Sequence, residues 1–178
     1  MRRLLVSLAA SCSSAPAHPA APAPADCNAP LVLAGQDDVA AAAGCTRVPS
    51  LTLRSADRLD VSSLPLQAVA GDFTIGPTVG VDEVTLPRLA AVDGTLHVAA
   101  NSNLRGLYLP YLARAAAVDI DGNAALATIS LPRLADVAGA LAVTANPSLE
   151  LLDLGALAHA GSERIERNNK DAVIERSR

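Results

Sequence analysis

The sequence predicts a mainly β fold: a parallel β-helix wound as a solenoid of about five 22–23-residue rungs, with a short helix capping its first turn. Three observations predict it. Residues 86–154 carry one pattern three times, starting at Leu86-Pro-Arg-Leu89, Leu109-Pro-Tyr-Leu112 and Leu131-Pro-Arg-Leu134. A fixed period in the twenties marks a solenoid, in which each copy is one supersecondary unit stacked on the next. Apolar residues recur in alternating pairs at the same period, as short strands with one inward face require. Finally, 51% of the residues are apolar, yet Phe73, Tyr108 and Tyr111 are the only aromatic ones. Such a core must be thin and layered, filled with Leu, Val, Ile and Ala.

The chain divides into four parts: a signal (1–12), a tether (13–26), the solenoid (27–160) and a charged tail (161–178). Met1-Arg-Arg3 followed by the apolar run 4–10 reads as an export signal too short to span a bilayer. Ala9-Ala10-Ser11-Cys12 resembles the lipobox of bacterial lipoproteins, which makes Cys12 the expected lipid anchor and the envelope, at an outer membrane, the expected location. Cleavage after Ala17 instead would free the protein by secretion. The Pro/Ala-rich residues 13–26 cannot bury enough apolar area to fold and favour an extended tether.

Cys27 and Cys45 remain as a pair, and in an exported chain such a pair is expected to close a disulfide. Between them, Asp37-Asp38 and the alanines up to Gly44 read as a helix with an acidic N-cap and a glycine past its end. A solenoid's first rung needs a lid over its open cross-section, and this segment supplies one.

In the repeats, Leu51/Leu53, Phe73/Ile75, Leu96/Val98, Val118/Ile120 and Leu141/Val143 are offset by 22, 23, 22 and 23 residues and form the first strand column. A second column runs through Val84/Leu86, Leu107/Leu109, Ile129/Leu131 and Leu152/Leu154, with a poorer copy near Val61/Ser63. After the second strand, Leu-Pro-x-Leu followed by glycine predicts a corner of about one helical turn. The opposite corner carries Asn101, Asn123 and Asn146, an expected ladder of buried amides bonding turn backbone. Residues 161–178 are polar and charged, and read as a solvated tail or as a short helix over the last rung.

The layout Gly44-Cys45-Thr-Arg-Val48 before Leu51-x-Leu53, followed by Leu-x-x-Leu, Val, Gly-x-Leu-x-Val and Asn-x-x-Leu, resembles the receptor L domain, the ligand-binding module of insulin-type and epidermal-growth-factor-type receptors. The resemblance covers about residues 27–157. It implies a right-handed parallel β-helix related to leucine-rich repeats, with an N-terminal helix tied down by a disulfide. Two departures limit the resemblance, about five rungs and no cysteine pattern for a far-end cap, and with nothing in these residues suggesting a kinase, receptor signalling is not carried over.

The net charge of −4 speaks against nucleic acid as a partner. No cofactor is expected; a cluster of His97, Asp119 and Asp121 could bind a divalent ion or act as a weak acid/base pair, but such groups on a solvated sheet read as solvent-facing residues. On the outward faces, His97 should stand beside Asp119, with Asp121 along the same face, and Tyr108, Tyr111, Arg88 and Arg133 are the residue types enriched at interface hot spots. The faces are otherwise Thr, Ser and Ala, without the convergent carboxylates of a polysaccharide-cleaving enzyme. The expected function is therefore non-catalytic binding or adhesion to an extracellular protein or glycan. The alternative is a structural envelope protein that acts as a spacer or self-associates through its ends, and a remote one is a polysaccharide-acting β-helix enzyme.

Overall fold

The computed structural model describes residues 22–176. The chain starts with β1 (Leu31–Leu33) and α1 (Gln36–Ala41), then passes through a 3-10 turn at Ala42–Gly44. Among the described residues the strands number fourteen with β1, and they follow one another in coils. The first wall holds β2 (Arg47–Val48), β3 (Leu51–Leu53), β4 (Ala68–Val69) and β5 (Phe73–Ile75). It continues through β7 (Ala91–Ala99), β9 (Arg114–Asp121), β11 (Asp136–Thr144) and β13 (His159–Glu166). The second wall holds β6 (Glu83–Thr85), β8 (Gly106–Tyr108), β10 (Thr128–Ser130), β12 (Leu151–Asp153) and β14 (Val173–Glu175). The first wall is a nine-stranded sheet ordered β1-β3-β5-β7-β9-β11-β13, with β2 and β4 beside that path; the second is a five-stranded sheet in chain order. Every pairing is parallel. The fold is a β-solenoid.

The repeat period sets the register. Leu51 pairs with Phe73, Phe73 with Leu96, Leu96 with Val118 and Val118 with Leu141, and all five side chains are fully buried. Because side chains alternate along a strand, a one-residue slip would turn this whole file to solvent. Val84, Leu107, Ile129 and Leu152 form the facing file from the second wall.

Among the described residues there are about seven turns rather than five. One turn is added at the front, where Leu31 and Leu33 pair with Leu51 and Leu53 at an offset of only 20 residues. The other comes from the segment expected to be a tail or helix, which forms β13 and β14 instead. Its charge hid it: Glu163 occupies the register position of Leu141 and Val118, and only Ile165 keeps the apolar file. Glu163 tolerates that position because Arg176 grips both of its carboxylate oxygens. Charges turned inward on a peripheral strand discourage further pairing. The poor second-column copy at 61–63 is no strand; Val61 is buried and its carbonyl accepts the Leu64 N–H in a turn.

The three Leu-Pro-x-Leu corners, and a fourth at Leu154-Gly-Ala-Leu157 with glycine in the proline's place, are single turns closed by N–H of Leu89, Leu112, Leu134 and Leu157 to the carbonyls of Leu86, Leu109, Leu131 and Leu154, at 3.0–3.3 Å. Proline favours the second position of such a turn. The glycines that follow do not end a helix, however. Gly94 and Gly139 lie inside β7 and β11 where the register shifts. A Cβ on Gly94 would stand 2.5 Å from the Gly71 carbonyl carbon, so glycine there lets two rungs approach.

At the N-terminal end, Cys27 and Cys45 form a disulfide with Cα atoms 5.4 Å apart. The helix cap differs from expectation. Gly35 is the N-cap residue, and Asp38 sits in the first turn, where it accepts the N–H groups of Ala34 and Gly35 at 2.8 and 3.0 Å. Val39 and Ala42 are buried over Leu33, sealing the first cross-section.

Candidate functional site

The Asn corner is held by a continuous column of side-chain amides. Asn101, Asn123 and Asn146 are buried and stacked, and Asn168 extends the column. Each Oδ1 accepts both the backbone N–H and the Nδ2–H of the asparagine one rung before it, as at Asn101 onto Asn123 (3.2 and 2.9 Å). Each Nδ2 also reaches a carbonyl of the preceding rung: Ile75, Val98, Ile120 and Val143. Thr78 begins the column by donating its N–H and hydroxyl to Asn101 Oδ1. Its period was legible, but Thr78 and Asn168 were hidden, one by residue type and one by its charged surroundings. The residues before the asparagines, Ala100, Gly122, Ala145 and Arg167, all have φ between 54° and 66°. Left-handed backbone disfavours a Cβ by roughly 1 kcal/mol, so the amide column holds three non-glycine residues in place. These asparagines are committed to structure.

The outward faces hold the candidate ligand contacts. In the first wall, Thr52, Thr74, His97, Asp119 and Ala142 stand side by side. His97 Nδ1 lies 3.0 Å from Asp119 Oδ2, with both side chains nearly half exposed. Asp121 does not join them; it accepts the hydroxyl of Thr144 on the next rung. Among the described residues, no three His, Cys, Asp or Glu side chains gather as a metal site would require.

At the Leu-Pro-x-Leu corner, the Arg133 guanidinium stacks 4.4 Å from the centroid of the Tyr111 ring, which is 49% exposed. Arg88, in the equivalent corner position one rung before Tyr111, is exposed. Tyr108 lies elsewhere, on the outward face of the second wall, between Thr85 and Ser130. Cys12 falls outside the described residues, and so does most of the tether.

Sequence reasoning missed one charged cluster. Asp93 accepts from Arg114 at 2.8 Å and from Arg47 at 3.1 Å, joining three turns of the first wall. The hydrogen bond from Arg114 is the main reason its carboxyl is held below the usual 3.8, with the Arg114 and Arg47 charges adding to it. The Asp60 carboxyl is likewise held down, mainly by hydrogen bonds from Ser62. No spacing rule announces a contact 46 residues apart; it arises because Ala68 and Ala91, stacked between Arg47 and Arg114, leave the arginine stems room to reach across.

These features define a β-solenoid with flat, polar outward walls and a disulfide-pinned lid. A comparison of the chain with protein-family models, curated proteins and solved structures finds no match. No helix among the described residues is long and apolar enough to cross a membrane.

Proposed function

We propose that the protein is a non-catalytic binding or adhesion module of the cell envelope, held there by lipid on Cys12 and presenting its solenoid to an extracellular protein or glycan. The single observation that carries this reading is the exposed Tyr111 ring with Arg133 stacked on it. A guanidinium stacked on a ring is already ordered, so little side-chain freedom is lost when a ligand covers both. The disulfide supports export, since such bonds persist in oxidising compartments. We further infer a receptor L domain-like, right-handed coil, in keeping with the strong handedness of parallel β crossovers.

The test is a surface-protein and glycan array probed with the full chain and with the double variant Tyr111→Ala/Arg133→Ala. Both side chains lie outside the core, so the variant should keep its thermal midpoint and lose array binding at least about tenfold. Absence of any array binding, or binding indifferent to the double variant, overturns this assignment of the surface.

A further inference from the structure

The second wall offers a more specific surface than the corner. Its ten outward positions are Glu83 and Thr85 on β6, Gly106 and Tyr108 on β8, Thr128 and Ser130 on β10, Leu151 and Asp153 on β12, and Val173 and Glu175 on β14. Among them are three carboxylates, one aromatic ring and no cation.

The Tyr108 ring does not stand away from the sheet. A Cβ built on Gly106 would fall 2.9 Å from both Cζ and Oη of Tyr108, so the ring runs back along its own strand and ends over Gly106. The missing side chain at 106 is what lets the ring lie down. Each flank of the ring carries a hydroxyl already bonded to a carboxylate: Thr85 Oγ1 donates to Glu83 at 2.9 Å, and Ser130 Oγ to Asp153 at 3.4 Å. Those hydroxyl oxygens are left as acceptors; Glu83 keeps one oxygen without a partner, and Asp153, whose Oδ1 already accepts the Gly155 N–H at 3.0 Å, has further lone pairs to offer a hydroxyl-bearing ligand. From β6 to β12 the array spans three strand spacings, about 14 Å.

We propose that this face binds a neutral oligosaccharide lying across the strands, with one sugar stacked on Tyr108 and its neighbours hydrogen-bonded by the Thr85–Glu83 and Ser130–Asp153 pairs. The proposal rests on the binding-module reading and adds to it a second surface with its own ligand class, so sugar binding here should survive Tyr111→Ala/Arg133→Ala. A sugar ring has an apolar C–H face that seats on an aromatic ring and an equatorial rim of hydroxyl donors that suits carboxylate acceptors. A polyanionic glycan would meet three carboxylates with no cation among the ten outward positions; Arg58, beside Glu83 and Thr85 at the β6 edge, is itself faced by Asp60, Asp82 and Glu83, so charge repulsion disfavours such a ligand.

The chain's aromatic content makes the test direct, because it has two tyrosines and no tryptophan. Tyrosine emission of a Tyr111→Phe variant therefore reports on Tyr108 alone, and the few tyrosine ring resonances are resolvable by NMR. The probes are cellohexaose, laminarihexaose and mannohexaose as neutral oligosaccharides, and hexagalacturonate as the acidic one. We expect at least one neutral probe to shift the Tyr108 ring signals and hexagalacturonate to leave them in place. Tyr108→Ala should weaken binding about tenfold. Gly106→Ala, which keeps the tyrosine but lifts its ring, should weaken it comparably, both variants retaining the wild-type thermal midpoint. Ring signals unmoved by every neutral probe, equal response to the acidic probe, or full affinity in Tyr108→Ala overturns the proposal. Array binding to a protein that survives Tyr108→Ala would refute the sugar site while leaving the binding-module reading intact; no binding of any kind would refute both.

Discussion

Replacing Asn123 by alanine tests how the solenoid holds its corner. Asn123 is fully buried, and its Oδ1 accepts from Asn101 N–H and Asn101 Nδ2. Its Nδ2 donates to the Val98 carbonyl at 2.9 Å and to Asn146 Oδ1 at 3.1 Å. Truncation strands two donors of Asn101 and weakens the pairing of the Val98 carbonyl, in a site closed to water. Each buried orphan costs about 1–3 kcal/mol, so the variant should lose roughly 3–6 kcal/mol. That is a large fraction of the 5–15 kcal/mol or so that a domain has in total. Asn168 makes the same bonds to Asn146 and Val143, but it is only half-buried, in the last rung. Water can replace it, so Asn168→Ala should cost only about 1 kcal/mol. Urea unfolding at unchanged m-value measures both. Equal losses in the two variants, or a loss below about 1 kcal/mol for Asn123→Ala, would refute the view that a buried amide column carries this corner.

Two further outcomes follow from the lid and the ion network. Replacing Cys27 and Cys45 by serine opens a loop of sequence separation 18, and should lower the unfolding free energy by about 3 kcal/mol in the chain-entropy picture; an unchanged urea midpoint would show that the lid packs without its bond. Asp93 has a folded carboxyl lowered below the usual 3.8, so its contribution is present above about pH 4 and is lost as pH falls through the lowered value. Asp93→Asn should therefore be less stable than wild type at neutral pH and converge with it on acidification, as read by thermal midpoints across the acid range; a constant gap would refute the linkage.

The parts of the fold that were legible share one property: they repeat. Phe73, Leu96, Val118 and Leu141 could be aligned from their spacing because each rung imposes the same in–out alternation on its own residues. The asparagine corner was legible for the same reason, since three identical residues recur at that spacing. The terminal rungs were not. Leu31 entered at a shorter offset, and the last turn replaced a core leucine by Glu163, so neither matched the period. A glycine after Leu-Pro-x-Leu fits a helix end and a bulged strand equally well in sequence, because both favour a missing Cβ, in the strand where rungs touch.

Sequence alone determined the solenoid, its two apolar files, the cysteine pair at the lid and the residues that face outward, because alternation and period act within a rung and leave their trace along the chain. Tertiary structure alone decided that the described residues make about seven turns, that Arg133 covers Tyr111, that Asp93 ties Arg47 to Arg114 and that the Tyr108 ring lies over Gly106. Those facts depend on where flexible side chains go once rungs are stacked, and rotamer choice is set by neighbours one or two turns away, which linear spacing does not record.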